Sequence, residues 1–251
     1  MNRLRFCLLF FLAASSLKAM AADAQAILVW AQFDGQHHIV SSSLNDQQWS
    51  TPAVIHSSDN VIVTPALAKN NEGQTIMVWS EQQQGRMEIL QSQLSKQSQI
   101  WSEPELLIDE GSENLNPNIV NDGQGGLWLF WSGNDDGLDD IYYKQKRVNE
   151  REWSETKQLN EPNEVPDYKP VAELDDFGDI LVRWQTYDFL AGQYIEAQET
   201  IVVDQKVAYN RSQADGDIKL EDILLPDFLP TDSSVSLLFP NNVAAQSIRL
   251  D

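Results

Sequence analysis

Leu127-Trp128-Leu129-Phe130-Trp131-Ser132, then Asp140-Ile141-Tyr142-Tyr143, then Trp153-Ser154-Glu155-Thr156, is the stretch that decides the fold of this 251-residue chain. A short unbroken apolar run bounded by turn residues reads as a strand buried on both faces, and the shorter segments after it read as strands nearer an edge. The same marks recur along the chain. Apolar runs end on Trp30, Trp79, Trp131 and Trp184, spaced by 49, 52 and 53 residues. A second tryptophan follows the first three after 19 to 22 residues, as Trp49-Ser50-Thr51-Pro52, Trp101-Ser102-Glu103-Pro104 and Trp153-Ser154-Glu155-Thr156. Pro65, Pro117 and Pro170 each precede an apolar-run tryptophan by 14 residues. Three markers on one period define an internal repeat of about 52 residues.

Each unit reads as four short strands. In the second unit these are 61–68, 75–80, 87–94 and 105–108, and in the third they centre on 118–120, 127–131, 140–144 and 157–159. Gly- and Asn-rich turns such as Asn121-Asp122-Gly123-Gln124-Gly125-Gly126 separate them, and no amphipathic helix of useful length appears. A lone four-stranded antiparallel sheet cannot bury both of its faces, so such units must stack. The expectation is an all-β chain, a β-propeller of four-stranded antiparallel blades with four or five blades.

The pattern of proline, apolar run ending in Trp-Ser, Ile-Tyr-Tyr and Trp-Ser-x-(Pro/Thr) resembles the sialidase-like, or bacterial neuraminidase repeat, β-propellers, and it does so from residue 27 to about residue 184. That resemblance implies the fold. It also implies an arginine cluster, a Tyr-Glu nucleophile pair, an aspartate acid/base and Asp-box turns. The chain departs from the family on these points. No intact Asp box precedes Trp49, Trp101 or Trp153, and only six arginines lie beyond residue 21: Arg86, Arg147, Arg151, Arg183, Arg211 and Arg249. The resemblance therefore supports the fold and argues against sialidase chemistry.

The two ends carry different messages. Asn2-Arg3-Leu4-Arg5, an apolar run over 6–14 and Ala19-Met20-Ala21 form a secretory signal, with cleavage expected after Ala21. Residues 1–21 are thus read as a signal peptide and 22–251 as a single propeller domain, periplasmic or secreted, with no transmembrane anchor. Cleavage would remove Cys7, the only cysteine, together with Arg3, Arg5 and Lys18 and no acid, moving the formal charge from -21 to -24. Such a surface excludes general nucleic-acid binding, and it disfavours anionic membranes and polyanions outside a local basic patch. From about residue 200 the repeat fades. Residues 217–225 and 235–239 read as strands, with Phe239 55 residues after Trp184 and so near the repeat register, and 200–251 as a whole reads as a divergent blade plus a closing strand for the first unit, whose opening strand is missing.

Functional candidates follow from the ends of the apolar-run strands, where successive units would present side chains on one face. Glu81, Asp135 and Asp188 are the carboxylates there, and Trp184 with Tyr187 could stack on a sugar ring. Asp135, Asp136, Asp139 and Asp140 crowd oxygen ligands into one loop; calcium is the one cofactor this offers, and a solvated acidic turn is the preferred reading. His37, His38 and His56 show no metal-ligand spacing. The favoured function is a recognition or scaffold module for a protein or glycan ligand, with an enzyme disfavoured. The alternative is a glycoside hydrolase-like enzyme using loop carboxylates, and a third reading is a partial ring completed as a homo-oligomer.

Overall fold

The computed structural model describes residues 26–251 except 71, 96–97, 135–136, 204–222, 231–233, 240–245 and 250–251. The expected cleavage segment and the candidates Asp135 and Asp136 lie outside the described residues. Among those described, every regular element is a strand. The first unit holds β1 (Ala26–Phe33), β2 (His37–Asn45), β3 (Gln48–Trp49) and β4 (Ala53–Ser58). The second holds β5 (Ile62–Lys69), β6 (Thr75–Gln83), β7 (Arg86–Leu94) and β8 (Glu105–Ile108). The third holds β9 (Glu113–Asn121), β10 (Leu127–Asn134), β11 (Asp139–Lys146) and β12 (Lys157–Gln158). The fourth holds β13 (Asp167–Leu174), β14 (Ile180–Asp188) and β15 (Gln193–Ile201), and β16 (Ser234–Leu238) and β17 (Gln246–Arg249) close the chain.

Neighbouring strands within each unit pair antiparallel in sequence order. The second and third units touch through one parallel bridge, Met87 to Glu113, so they are two four-stranded sheets rather than one continuous surface. β16 pairs antiparallel with β1, Ile27 opposite Leu238 and Trp30 opposite Val235, and supplies the strand that the first unit lacks. The expected strand at 217–225 is not seen in its described part: residues 223–225 are without regular structure, and 217–222 lie outside the described residues.

The sheets stack face to face, as propeller blades do. Ile27, Val29, Ile39, Met77 and Trp79 fill the first seam; Val78, Ile89, Ile119, Leu129 and Trp131 the second; Phe130, Ile141, Val182 and Trp184 the third. The apolar-run strands of the first three units are central and covered on both sides, which is why their apolar runs show no polar alternation. On the outer face of the first unit, Ile223, Leu225 and Leu229 pack with Trp30, Leu28 and Phe239, and the Trp30 indole stacks on Phe228 with ring centroids 6.0 Å apart. The fourth unit's far face, with Val171, Glu173 and Arg183, is not covered to the same extent: Val171 is exposed and Arg183 pairs with Glu173 and Glu196. The architecture is all-β and propeller-like, an arc of stacked antiparallel sheets.

The repeat markers have local causes. Thr64, Asn116 and Lys169 sit at φ 54°, 54° and 57°, each just before the marker proline. In each inner strand the pairing register shifts at that point, between Val63 and Ala66, opposite Phe130 and Ser132, and between Tyr168 and Val171. Proline, which has no N–H to give to a ladder, belongs at such a bulge. The serine after each outer tryptophan accepts the N–H of the neighbouring strand: Ser43 N–H to Ser50 Oγ at 3.1 Å, Gln93 N–H to Ser102 Oγ at 3.1 Å, Gln145 N–H to Ser154 Oγ at 3.0 Å. Asn70, Asp122 and Asp175 close the first turn of their units by accepting the N–H four residues on, at 2.8 to 2.9 Å.

Candidate functional site

Each unit carries a polar node where its apolar-run tryptophan places its indole N–H, and the nodes differ. The apolar-run tryptophan must place its indole N–H, which burial would otherwise leave unpaired. Trp30 donates to Gln32 at 3.3 Å, Trp79 to Glu81 at 3.0 Å, Trp131 to Asn114 at 2.9 Å and Trp184 to Asp167 at 2.9 Å. The preceding unit meets this acceptor with the residue seven places after its outer tryptophan: His56, Ile108 or Asn160. His56 Nε2 lies 2.9 Å from Glu81 Oε2 across the first seam, and Asn160 Nδ2 donates to Asp167 Oδ2 at 2.8 Å across the third. At the second seam Ile108 offers nothing, and Asn114 donates to the Met87 and Glu110 carbonyls. What recurs is structural. What does not recur is the histidine.

The first node is a buried carboxylate holding a partly exposed imidazole. Glu81 closes the apolar run of β6 with 3% of its surface exposed, and the His56 side chain, on β4, is 19% exposed. Burial alone pushes the Glu81 carboxyl up, but hydrogen bonds from His56, Trp79 and Ser58, together with the His56 charge, outweigh it and hold the group below its ordinary value. Gln83 Nε2 adds a contact at 3.1 Å to the other oxygen. An ionised carboxylate only accepts, so the imidazole proton facing it sits on Nε2. For a neutral ring the lone pair is then on Nδ1, the arrangement by which a carboxylate prepares a histidine to take a proton. The His56 ring also packs 5.5 Å from the Trp79 ring, which fixes its tilt.

The remaining candidates fall in different places. Asp188 ends β14 and caps the next turn, accepting from the Leu190 and Ala191 N–H groups at 2.8 and 3.1 Å. Tyr187 makes edge contacts with Phe189 and Tyr194 at 5.3 and 5.1 Å. Trp184 is 7% exposed and belongs to the third seam, so its ring presents no face to a sugar. Glu81 and Asp188 both stand at the C-terminal ends of apolar-run strands, and no hydrogen bond joins them. Asp139 accepts from Asn134 Nδ2 at 3.3 Å and Asp140 from Asn160 Nδ2 at 2.8 Å. Among the described residues no group of three or more His, Cys, Asp or Glu is placed to hold a metal ion. In the sequence His56 stands out neither by metal-ligand spacing nor by any catalytic motif. The signal that finds it is its repeat position, the seventh after Trp49, where the other units have isoleucine and asparagine.

No family model matches the chain, and no curated protein does. Solved structures do. A Dyadobacter fermentans protein of unknown function is similar at 13% identity and TM-score 0.46, over 59% of this chain and 53% of that one. An endo-arabinase from Bacteroides thetaiotaomicron is similar at 15% identity and TM-score 0.44, over 70% and 74%. A sialidase from Streptococcus pneumoniae is similar at 16% identity and TM-score 0.46, over 68% and 28%, so this chain spans about a quarter of it. These likenesses are distant and partial. They carry no activity over to this chain. The expectation from the sequence that an enzyme is disfavoured is corrected on the chain's own residues, because carboxylates are buried at Glu81 and Asp167.

Proposed function

We propose that the chain is an extracytoplasmic glycan-cleaving enzyme on a propeller of four or five blades, with His56 as its proton-transfer group and Glu81 as the residue that positions it. The observation that supports this reading is the asymmetry of the seams: one node alone pairs an imidazole with a carboxylate kept ionised in spite of its burial. In hydrolysis, His56 Nδ1 would take a proton from the water that attacks the anomeric carbon. Glu81 stabilises the imidazolium so formed, the glycosidic C–O bond breaks, and the departing oxygen takes its proton from solvent. A carboxylate held below its ordinary value is a poor general acid, so Glu81 acts through the ring rather than on the leaving group.

The test is release of reducing ends from a panel of plant, algal and bacterial polysaccharides by the wild type and by His56→Ala. Loss of a base of this kind lowers turnover by about 10²–10⁴-fold. Glu81→Gln, which leaves the imidazole in place but weakens its anchor, is expected to lower turnover less than His56→Ala and to move the acidic arm of the pH profile of kcat/KM, where a general base must lose its proton. Equal activity in wild type and His56→Ala contradicts the proposal.

A further inference from the structure

At the other end of the same strands lies a groove that the His56 node does not use. It runs between the second and third units, has a volume of about 470 Å3 and is bounded by the Asn70–Gln74 turn, the end of β7 and the connection from Lys146 to Trp153. That volume is within the roughly 300–1,000 Å3 typical of small-ligand sites. Ile76 lines the groove and Glu81 is five residues further along β6, so the two places are separated by about 17 Å of extended strand.

The lining is mixed in a way that suits hydroxyl groups. Gln91 and Gln93 on one wall and Asn149 on the other carry amides that both donate and accept; Lys146 and Arg151 donate, and Glu150 accepts. Trp153 lines the groove, partly buried and packed against the second seam. The part of its indole that faces the groove, beside convergent amides, offers an apolar contact for a sugar and partners for its hydroxyls. The feature is not a by-product of the repeat. The equivalent connection in the second unit, 95–100, holds no arginine, and the first unit's outer indole, Trp49, is tied to the Leu224 carbonyl at 3.0 Å.

We infer that this groove is a second carbohydrate site, for a neutral oligosaccharide. The lining itself is close to balanced, with Lys146, Arg147 and Arg151 against Glu72 and Glu150, so hydroxyl recognition rather than local charge would hold the ligand, while the long-range field of a chain with formal charge -21 opposes a carboxylated or sulfated sugar. Neutral sugars meet no such barrier. The site stands apart from the chemistry proposed for His56, and binding rather than turnover reads it.

The experiment is calorimetric titration of the full chain with cellotetraose, xylotetraose, mannotetraose and maltotetraose, with tetragalacturonate as the acidic comparator. Gln93→Ala and Arg151→Ala, on opposite walls and outside the seams, are combined in one variant. At least one neutral tetrasaccharide is expected to bind, with affinity falling at least about tenfold in the double variant while the urea midpoint stays that of the wild type. His56→Ala is expected to bind as the wild type does. Failure of every neutral tetrasaccharide to bind at about 5 mM, equal binding by the double variant, or tighter binding of tetragalacturonate overturns the inference.

Discussion

Replacing Glu81 with leucine removes the carboxylate that joins Trp79 to His56 across the first seam while keeping a side chain of similar bulk. The Trp79 indole, fully buried, then loses the acceptor that lies 3.0 Å away. An orphaned buried N–H costs about 1–3 kcal/mol. His56 loses its partner too, but its partly exposed ring recovers water, so its share is smaller. Relief of the buried charge offsets part of the loss. The net expectation is destabilisation of about 2 kcal/mol, against about 1 kcal/mol for Glu81→Gln, whose amide oxygen still accepts from one donor. With a urea slope of roughly 1–3 kcal/mol per molar, Glu81→Leu moves the unfolding midpoint down by about 1 M at unchanged slope. The pH dependence has a definite sign. The folded-state value of Glu81 lies below its ordinary 4.5, so its ionised form contributes stability fully above that pH, and the contribution is lost as pH falls through the lowered value. The gap between wild type and Glu81→Gln therefore narrows on acidification. A Glu81→Leu midpoint equal to the wild type's, or a gap that widens in acid, refutes this account of the node.

Three further outcomes test the local explanations. Asn116→Val places a β-branched residue at φ 54° and is expected to cost about 1–2 kcal/mol, whereas Asn116→Gly is close to neutral; thermal unfolding compares them. Ser154→Ala deprives the Gln145 N–H of its acceptor at 3.0 Å and is expected to lower stability by about 1 kcal/mol, read by urea titration. Gly126→Ala would set a Cβ 2.2 Å from Asp122 Oδ2 inside a turn whose N–H groups that carboxylate accepts, so a loss of at least about 1 kcal/mol is expected, with faster amide exchange at residues 123–127.

Much of the fold was legible because its markers are forced by backbone geometry. Tryptophans that seal a seam, serines that accept an edge N–H and prolines at a bulge all answer needs that return in every unit, and a need that returns leaves a period. The C-terminal segment was harder. Residues 223–225 look apolar enough for a strand, yet they serve as a cover over Trp30, and apolar content cannot distinguish a strand from a cover. The site was less legible for the opposite reason. Glu81 stood out by position, but the partner that distinguishes it, His56, is 25 residues away on another unit, and only stacking brings them to 2.9 Å. Trp184 and Tyr187, close in sequence, part company because neighbouring positions on a strand face opposite sides of the sheet and a three-residue step takes them apart. The carboxylates of so acidic a chain give no hint of which are buried, and nothing in the sequence around Asp167 marks it as the buried acceptor of the third seam.

The proposed site of glycan cleavage is the seam that joins the His56 imidazole to the Glu81 carboxylate. Reducing-end release from a broad polysaccharide panel, measured for the purified chain beside His56→Ala, tests it most directly. At least one polysaccharide is expected to be cleaved by the wild type, and His56→Ala, folded by circular dichroism, is expected to be slower by about 10²-fold or more. No cleavage of any substrate by the wild type, or cleavage that His56→Ala retains in full, contradicts it.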